Sequence, residues 1–280
     1  MPGDTLQEQL ERAVQAHIAG DLETAEGLYR RVLKVRPKQF DALHLLGMVE
    51  HAKGRHVAAE LRLNEAIAAN AADPAVYSNR SIVRLAKGNA AGSLADAEKA
   101  AELSPEFAAA HANKGNALLA LGRVQDAIAA YDAAIACDVR QAQAWSGRSA
   151  ALVRLGRYAE AADCARTAVA HLPGLADGWS NLGLALQSMG DLTAASENYE
   201  RALAIDPGHP DSLYNRGIMR HALGEYALAL KDMTAAVRKK RFDGDAGQIL
   251  HTRMNICDWD DFERGRKQLA DAVGRGEMVS

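Results

Sequence analysis

Small, large apolar and polar residues return along this chain every 34 positions, and glycine marks the register: Gly20, Gly54, Gly88, Gly122, Gly156, Gly190 and Gly224. Glycine averages about 7% of residues in proteins, so seven in step are not coincidence. With each of these glycines taken as position 15, the units begin at Leu6, Phe40, Pro74, Ala108, Ala142, Ala176 and Pro210. The apolar spacing within a unit predicts helix A over positions 1 to 14, a tight turn, then helix B and a short loop. Glycine suits the turn because the residue just past a helix end often needs a positive φ. Pro37, Pro105, Pro173 and Pro207 stand at position 32 and end helix B, whereas Pro74 and Pro210 open helices A.

Side-chain size repeats as regularly. Position 8 is Gly47, Ser81, Gly115, Ser149, Gly183 and Gly217, and position 20 is Ala25, Ala59, Ser93, Ala127, Ala161, Ala195 and Ala229. Alanine also dominates position 27. Tyr77, Trp145 and Trp179 fill position 4, and Tyr29, Tyr131 and Tyr199 fill position 24. Such alternation brings helices together at the short end of the usual 8–10 Å separation. The pattern therefore predicts an all-α fold: a right-handed superhelix of seven helix-turn-helix repeats.

The two ends depart from the pattern. The first unit carries Gln9 and Glu11 where later units have an aromatic and Asn, as a polar terminal unit requires. Arg238-Lys239-Lys240-Arg241 is read as a cationic helix C-terminus that complements the helix dipole. After Phe242 the register slips by one residue. A helix is expected over residues 245 to 254, with Ile249, Leu250 and Met254 on one side. A second follows, opened by Asp260 with Glu263 in a capping box and striped by Phe262, Leu269 and Val273. This pair is expected to cover the open end, with Trp259 and Phe262 against Leu228 and Val237. The expected organisation is thus a tail over residues 1–5, the repeats over 6–243 and a helical cap or linker over 244–280.

Composition narrows the function. The net charge of −3 argues against nucleic acid as a partner, and no apolar run approaches the roughly 18 residues of a membrane span. The polar N-terminus is unlike a signal peptide. Three scattered cysteines, Cys137, Cys164 and Cys257, suit a reducing, cytoplasmic setting, with Cys257 read as a small core residue. Nucleotide-binding and hydrolase motifs are missing, so no catalytic residue, cofactor or metal is expected. His17, His51 and His221 share position 12 of helix A, but two stacked imidazoles without a third ligand make a poor zinc site; they are read as solvated groove residues.

The face expected to matter is the inner wall, built from positions 2, 5, 6, 9 and 12 of helix A. Position 6 holds Asn79, Asn113, Asn181 and Asn215, interrupted by Leu45 and Gly147. Asn is a mediocre helix former, so its recurrence at mid-helix needs a reason. One reading is a repeat-to-repeat hydrogen bond that supports the stack. The other is a ladder of amides that donate to and accept from the backbone of an extended peptide. Spacing leaves both open. Arg80, Lys114, Arg148 and Arg216 at position 7 are read as long stems extending out of the helix packing.

Trp179, Leu182, Gly183, Ala195, Tyr199, Ala202 and Pro207 match, in type and spacing, the tetratricopeptide repeat, which this chain resembles throughout. The Asn–Lys–Arg carboxylate clamp of chaperone-tail binders is not matched, because Ala109, Gln143 and Asp211 stand where the lysine is required. The tail is similar to the Cys-Asp-Trp-x-Asp-aromatic segment of O-linked N-acetylglucosamine transferases and their SPINDLY-like relatives, through Cys257, Asp258, Trp259, Asp261 and Phe262. That resemblance implies a substrate-recruiting region without catalysis of its own, ahead of a glycosyltransferase domain beyond Ser280. The alternative is a free-standing adaptor. Either way the expected partners are protein or peptide segments in extended conformation, with a homo-oligomer also open.

Overall fold

A computed structural model of the chain describes residues 5–240, 245–258 and 262–274, and every regular element among them is an α-helix. Two compact units are present, Met1–Ala151 and Leu152–Ser280. In the first lie α1 (Leu6–Ile18), α2 (Leu22–Val35), α3 (Phe40–Ala52), α4 (His56–Ala69), α5 (Pro74–Ala86), α6 (Ala90–Leu103), α7 (Ala108–Ala120) and α8 (Val124–Cys137). The boundary falls within α9 (Ala142–Arg154). The second unit continues with α10 (Tyr158–His171), α11 (Ala176–Ser188), α12 (Leu192–Ile205), α13 (Pro210–Ala222), α14 (Tyr226–Val237), α15 (Asp245–Asn255) and α16 (Phe262–Gly274). Successive helices form hairpins, and within each unit each hairpin packs on the next.

The seven turn glycines all have positive φ, between 72° and 88°. Each turn closes by the same two backbone bonds. At the first, Gly20 N donates to His17 O at 3.0 Å and Asp21 N to Ala16 O at 2.9 Å, satisfying carbonyls that the helix end would orphan. Of the helices B, α2, α6 and α12 start on side-chain caps from Asp21, Asn89 and Asp191, and Pro74 and Pro210 occupy the first turns of α5 and α13.

Positions 8 and 24 fit each other in size. A Cβ added to Gly47, Gly115, Gly183 or Gly217 would come within 2.9 Å of Leu63, Tyr131, Tyr199 or Met233, the position-24 residue of the same hairpin. Where position 24 shrinks to Ala97, position 8 grows to Ser81, whose hydroxyl lies 2.9 Å from that of Ser93. The alternation expected from sequence is therefore a pairwise fit across each hairpin.

The end of the second unit is an eighth hairpin. Ile249 on α15 and Val237 on α14 both pack against the cluster of Leu203, Leu213, Tyr214, Met233 and Ala236, while Leu250 and Thr252 are buried. Thr252 Oγ1 donates to Gln248 O and sits 2.9 Å from His221 Nδ1, a polar anchor that no sequence pattern announces. Trp259 and the side chain of Phe262, the aromatics expected to form this cover, lie outside the described residues, as does the Asp260 cap. Leu228, one of their expected targets, is 47% exposed, and Met254 is also exposed. Lys240, expected at a helix C-terminus, lies just past α14 and pairs with Asp211 on α13 at 2.6 Å.

Cys257 overturns its sequence reading. It is exposed, and it carries a φ of 54° at the turn between α15 and α16. Cys257 N donates to Met254 O and Asp258 N to Arg253 O, repeating the bond pattern of the glycine turns with a non-glycine residue. A left-handed conformation costs an L-residue about 1–2 kcal/mol. Cys257→Gly should therefore stabilise this hairpin by about 1 kcal/mol, read as slower hydrogen exchange across residues 245–258. Faster exchange in the variant would show that the cysteine side chain holds the turn.

Candidate functional site

Helices A build the candidate face: α1, α3, α5 and α7 touch in series in the first unit, as do α11 and α13 in the second. Asn79 and Asn113 are half-buried on the row of the first unit, and Asn181 and Asn215 on that of the second. Asn79 Nδ2 lies 2.7 Å from Nε2 of His44, at position 5 of the preceding repeat. Asn113 Nδ2 donates to Ser78 Oγ at 2.9 Å and to Ser78 O at 3.2 Å, again one repeat back. Asn215 hydrogen-bonds the Tyr199 hydroxyl, which also donates to Gln187 Oε1 at 2.7 Å. Asn181 is engaged as well. Asn79, Asn113 and Asn215 thus join neighbouring repeats, and all four amides are only half-buried.

Both interruptions of the ladder have a visible cause. A Cβ at Gly147 would stand 2.5 Å from the ring of Tyr131, which is also pressed against Gly115. Tyr131 donates its hydroxyl to Asn116 Oδ1 at 2.8 Å and fills the place of the missing amide. Leu45 packs on the core formed by Leu10, Ala13, Tyr29 and Leu46.

The position-7 cations do not extend away from the helix packing. Arg80 grips Asp96 with two nitrogens at 2.6 and 2.8 Å and reaches Asn64 on the preceding helix B at 2.7 Å. Arg216 repeats this with Asp232 and Glu200. Arg148 pairs with Asp132 and Lys114 with Glu98. These charges tie helix A to the neighbouring helices B.

The position-12 histidines are half-buried rather than solvated. His51 Nδ1 lies 3.1 Å from His56 Nδ1, His17 meets Tyr29 edge-on, and His221 sits between Tyr226, His251 and Thr252. Among the described residues no three His, Cys, Asp or Glu side chains converge as a metal site requires. Burial lowers the pKa of His17, His44, His51 and His221 below the ordinary 6.5. Lowered values mean that the unfolded chain takes up protons before the folded one does. Stability is full above about pH 6.5 and falls as the pH drops below it. The urea midpoint is expected to decrease from pH 7 to pH 5.5; a constant midpoint would contradict this.

Profiles described as tetratricopeptide repeat match residues 19–74 and 79–139, 176–209 and 198–231, together more than half of the chain. The chain is a tetratricopeptide-repeat protein. Similar solved structures cover most of its length. A tetratricopeptide repeat protein from Parabacteroides merdae aligns over 89% of this chain and 99% of its own, with a TM-score of 0.68 at 18% identity. The Cut9–Hcn1 hetero-tetramer of the APC/C aligns over 88% of this chain and 49% of that one, with a TM-score of 0.71 at 15% identity. A thermophilic tetratricopeptide-repeat protein of Thermus thermophilus aligns over 68% of this chain and all of its own, at 22% identity and a TM-score of 0.56. No curated protein matches the chain. The repeats suggest a protein-interaction scaffold, and no described helix is long and apolar enough to cross a membrane.

Proposed function

We propose that the helix-A face binds extended segments of partner proteins, with Asn79, Asn113, Asn181 and Asn215 gripping the peptide backbone. The observation that carries this reading is the ladder itself: half-buried amides at one position, with Asn79, Asn113 and Asn215 each anchored by the preceding repeat. Anchoring fixes the amide before the peptide arrives, which reduces the ordering cost of binding. Backbone contacts ignore side-chain identity, so the face accepts many sequences. A net hydrogen bond contributes about 0.5–1.5 kcal/mol, and affinity on the order of 10 μM to 1 mM follows. Replacing the four Asn by Ala should reduce capture of unstructured peptides at least severalfold while helicity persists. Unchanged capture by a folded quadruple variant would assign the ladder to stacking alone.

In the finer reading, the chain recruits substrates for an O-GlcNAc-transferase-like enzyme, supported by the tail segment from Cys257 to Phe262. The adaptor reading draws on a specific observation: Cys257 and Asp258 close an eighth hairpin, a reason for these residues that needs no enzyme. Reading the gene past the codon for Ser280 separates the two. Several hundred residues of α/β sequence favour the transferase, and a stop codon favours the adaptor.

A further inference from the structure

The ladder changes character at its N-terminal end. Along helices A, position 6 runs Glu11, Leu45, Asn79 and Asn113, from carboxylate through aliphatic to amide. Around the first two lies a cavity of about 270 Å³, lined by Leu10, Val14 and Leu45, with Gln7, Gln15, Glu11 and Asp41. Val14 and Leu45 pack on the core beneath, so the apolar lining is held in place. The volume lies just below the roughly 300–1,000 Å³ of small-molecule sites, so it suits one side chain better than a cofactor.

The rim is acidic. Glu11 and Asp41 are exposed, and their hydrogen-bond partners are the neutral amides of Gln7 and Gln39, at 3.0 and 3.1 Å. Elsewhere in the repeats exposed carboxylates commonly have a cation beside them, as Glu23 has Lys53 and Asp132 has Arg148. Here the negative charge is left facing the cavity mouth.

Resting on the peptide-binding reading, we infer that this cavity is a side-chain pocket for one large apolar residue flanked by Lys or Arg, in the same extended partner segment that the Asn ladder holds. The ladder reads backbone, and the pocket sets where along a partner the ladder engages. Leu45, an interruption when only amides are sought, is then the pocket wall.

The probe is a labelled nonapeptide of Gly and Ser with a central Lys-Phe-Lys, compared with Lys-Gly-Lys and Glu-Phe-Glu versions by fluorescence anisotropy on the full chain. Losing the ring should weaken binding about tenfold, as expected for burying one aromatic side chain. Reversing the flanking charges should weaken it further, with an advantage for Lys-Phe-Lys that shrinks as salt rises. Leu45→Asn, which extends the ladder, and Leu45→Phe, which fills the cavity without adding a polar group, should each abolish the Phe preference. Glu11→Gln with Asp41→Asn should abolish only the charge preference. Equal binding of the three peptides overturns the pocket, as does a Phe preference that survives both Leu45 variants. If those variants are silent while the quadruple Asn variant loses all three peptides, the ladder stands and the pocket falls. The reverse pattern keeps the pocket and removes the ladder. If no peptide binds but Leu45→Asn converts a dimer to a monomer, a second copy occupies the cavity and the inference is wrong.

Discussion

Gly147→Asn, the substitution that would complete the ladder, is expected to destabilise the protein by about 1–3 kcal/mol. The new side chain must start 2.5 Å from the Tyr131 ring, which is also packed closely on Gly115. The ring is buried and tied through its hydroxyl to Asn116, so it has no easy route away. Urea unfolding with both single variants and their combination provides the measurement. Tyr131→Leu alone should cost stability, because a large buried side chain is lost. Combined with Gly147→Asn it should relieve the clash and leave a coupling energy of about 1 kcal/mol or more. Purely additive effects would mean that the ring is not what excludes the amide.

Asp96→Leu should cost about 3–5 kcal/mol, while Asp132→Leu should cost less than about 1 kcal/mol. Both carboxylates accept from a position-7 arginine, and burial separates them. The Asp96 side chain is 5% exposed and holds Arg80 and Arg84, themselves 14% and 21% exposed. Asp132 is 53% exposed opposite Arg148. Without Asp96, two half-buried guanidiniums lose a shared carboxylate, leaving Arg84 with Glu60 and the Gly92 carbonyl and Arg80 with Asn64. Equal losses at the two sites would show that burial does not decide the value of these pairs.

The repeat frame was legible because its devices are local. A glycine at a helix end announces a positive φ, and small residues at fixed spacing announce close helices. The candidate site was legible only in part. That Asn79 and Asn113 turn toward position 5 of the preceding repeat depends on which side chains stacking brings together, and one repeat read alone does not contain that. Gly147 looked like a defect because its cause, Tyr131, sits 16 residues earlier on another helix. The eighth hairpin was foreseen as a cap but not as another copy of the same joint, since cysteine carries no turn signal.

The size fit between positions 8 and 24 bears on how such a chain grows. In most hairpins the fit is internal, as between Gly47 and Leu63 or Gly217 and Met233, so a duplicated hairpin brings its own complement along. Tyr131 is different, because it also demands a glycine from the next hairpin. A copy of the fourth hairpin inserted elsewhere would collide with whatever stands at position 6 behind it. The fourth and fifth hairpins are therefore heritable only as a pair, and any rearrangement that separates them must remodel one of the two.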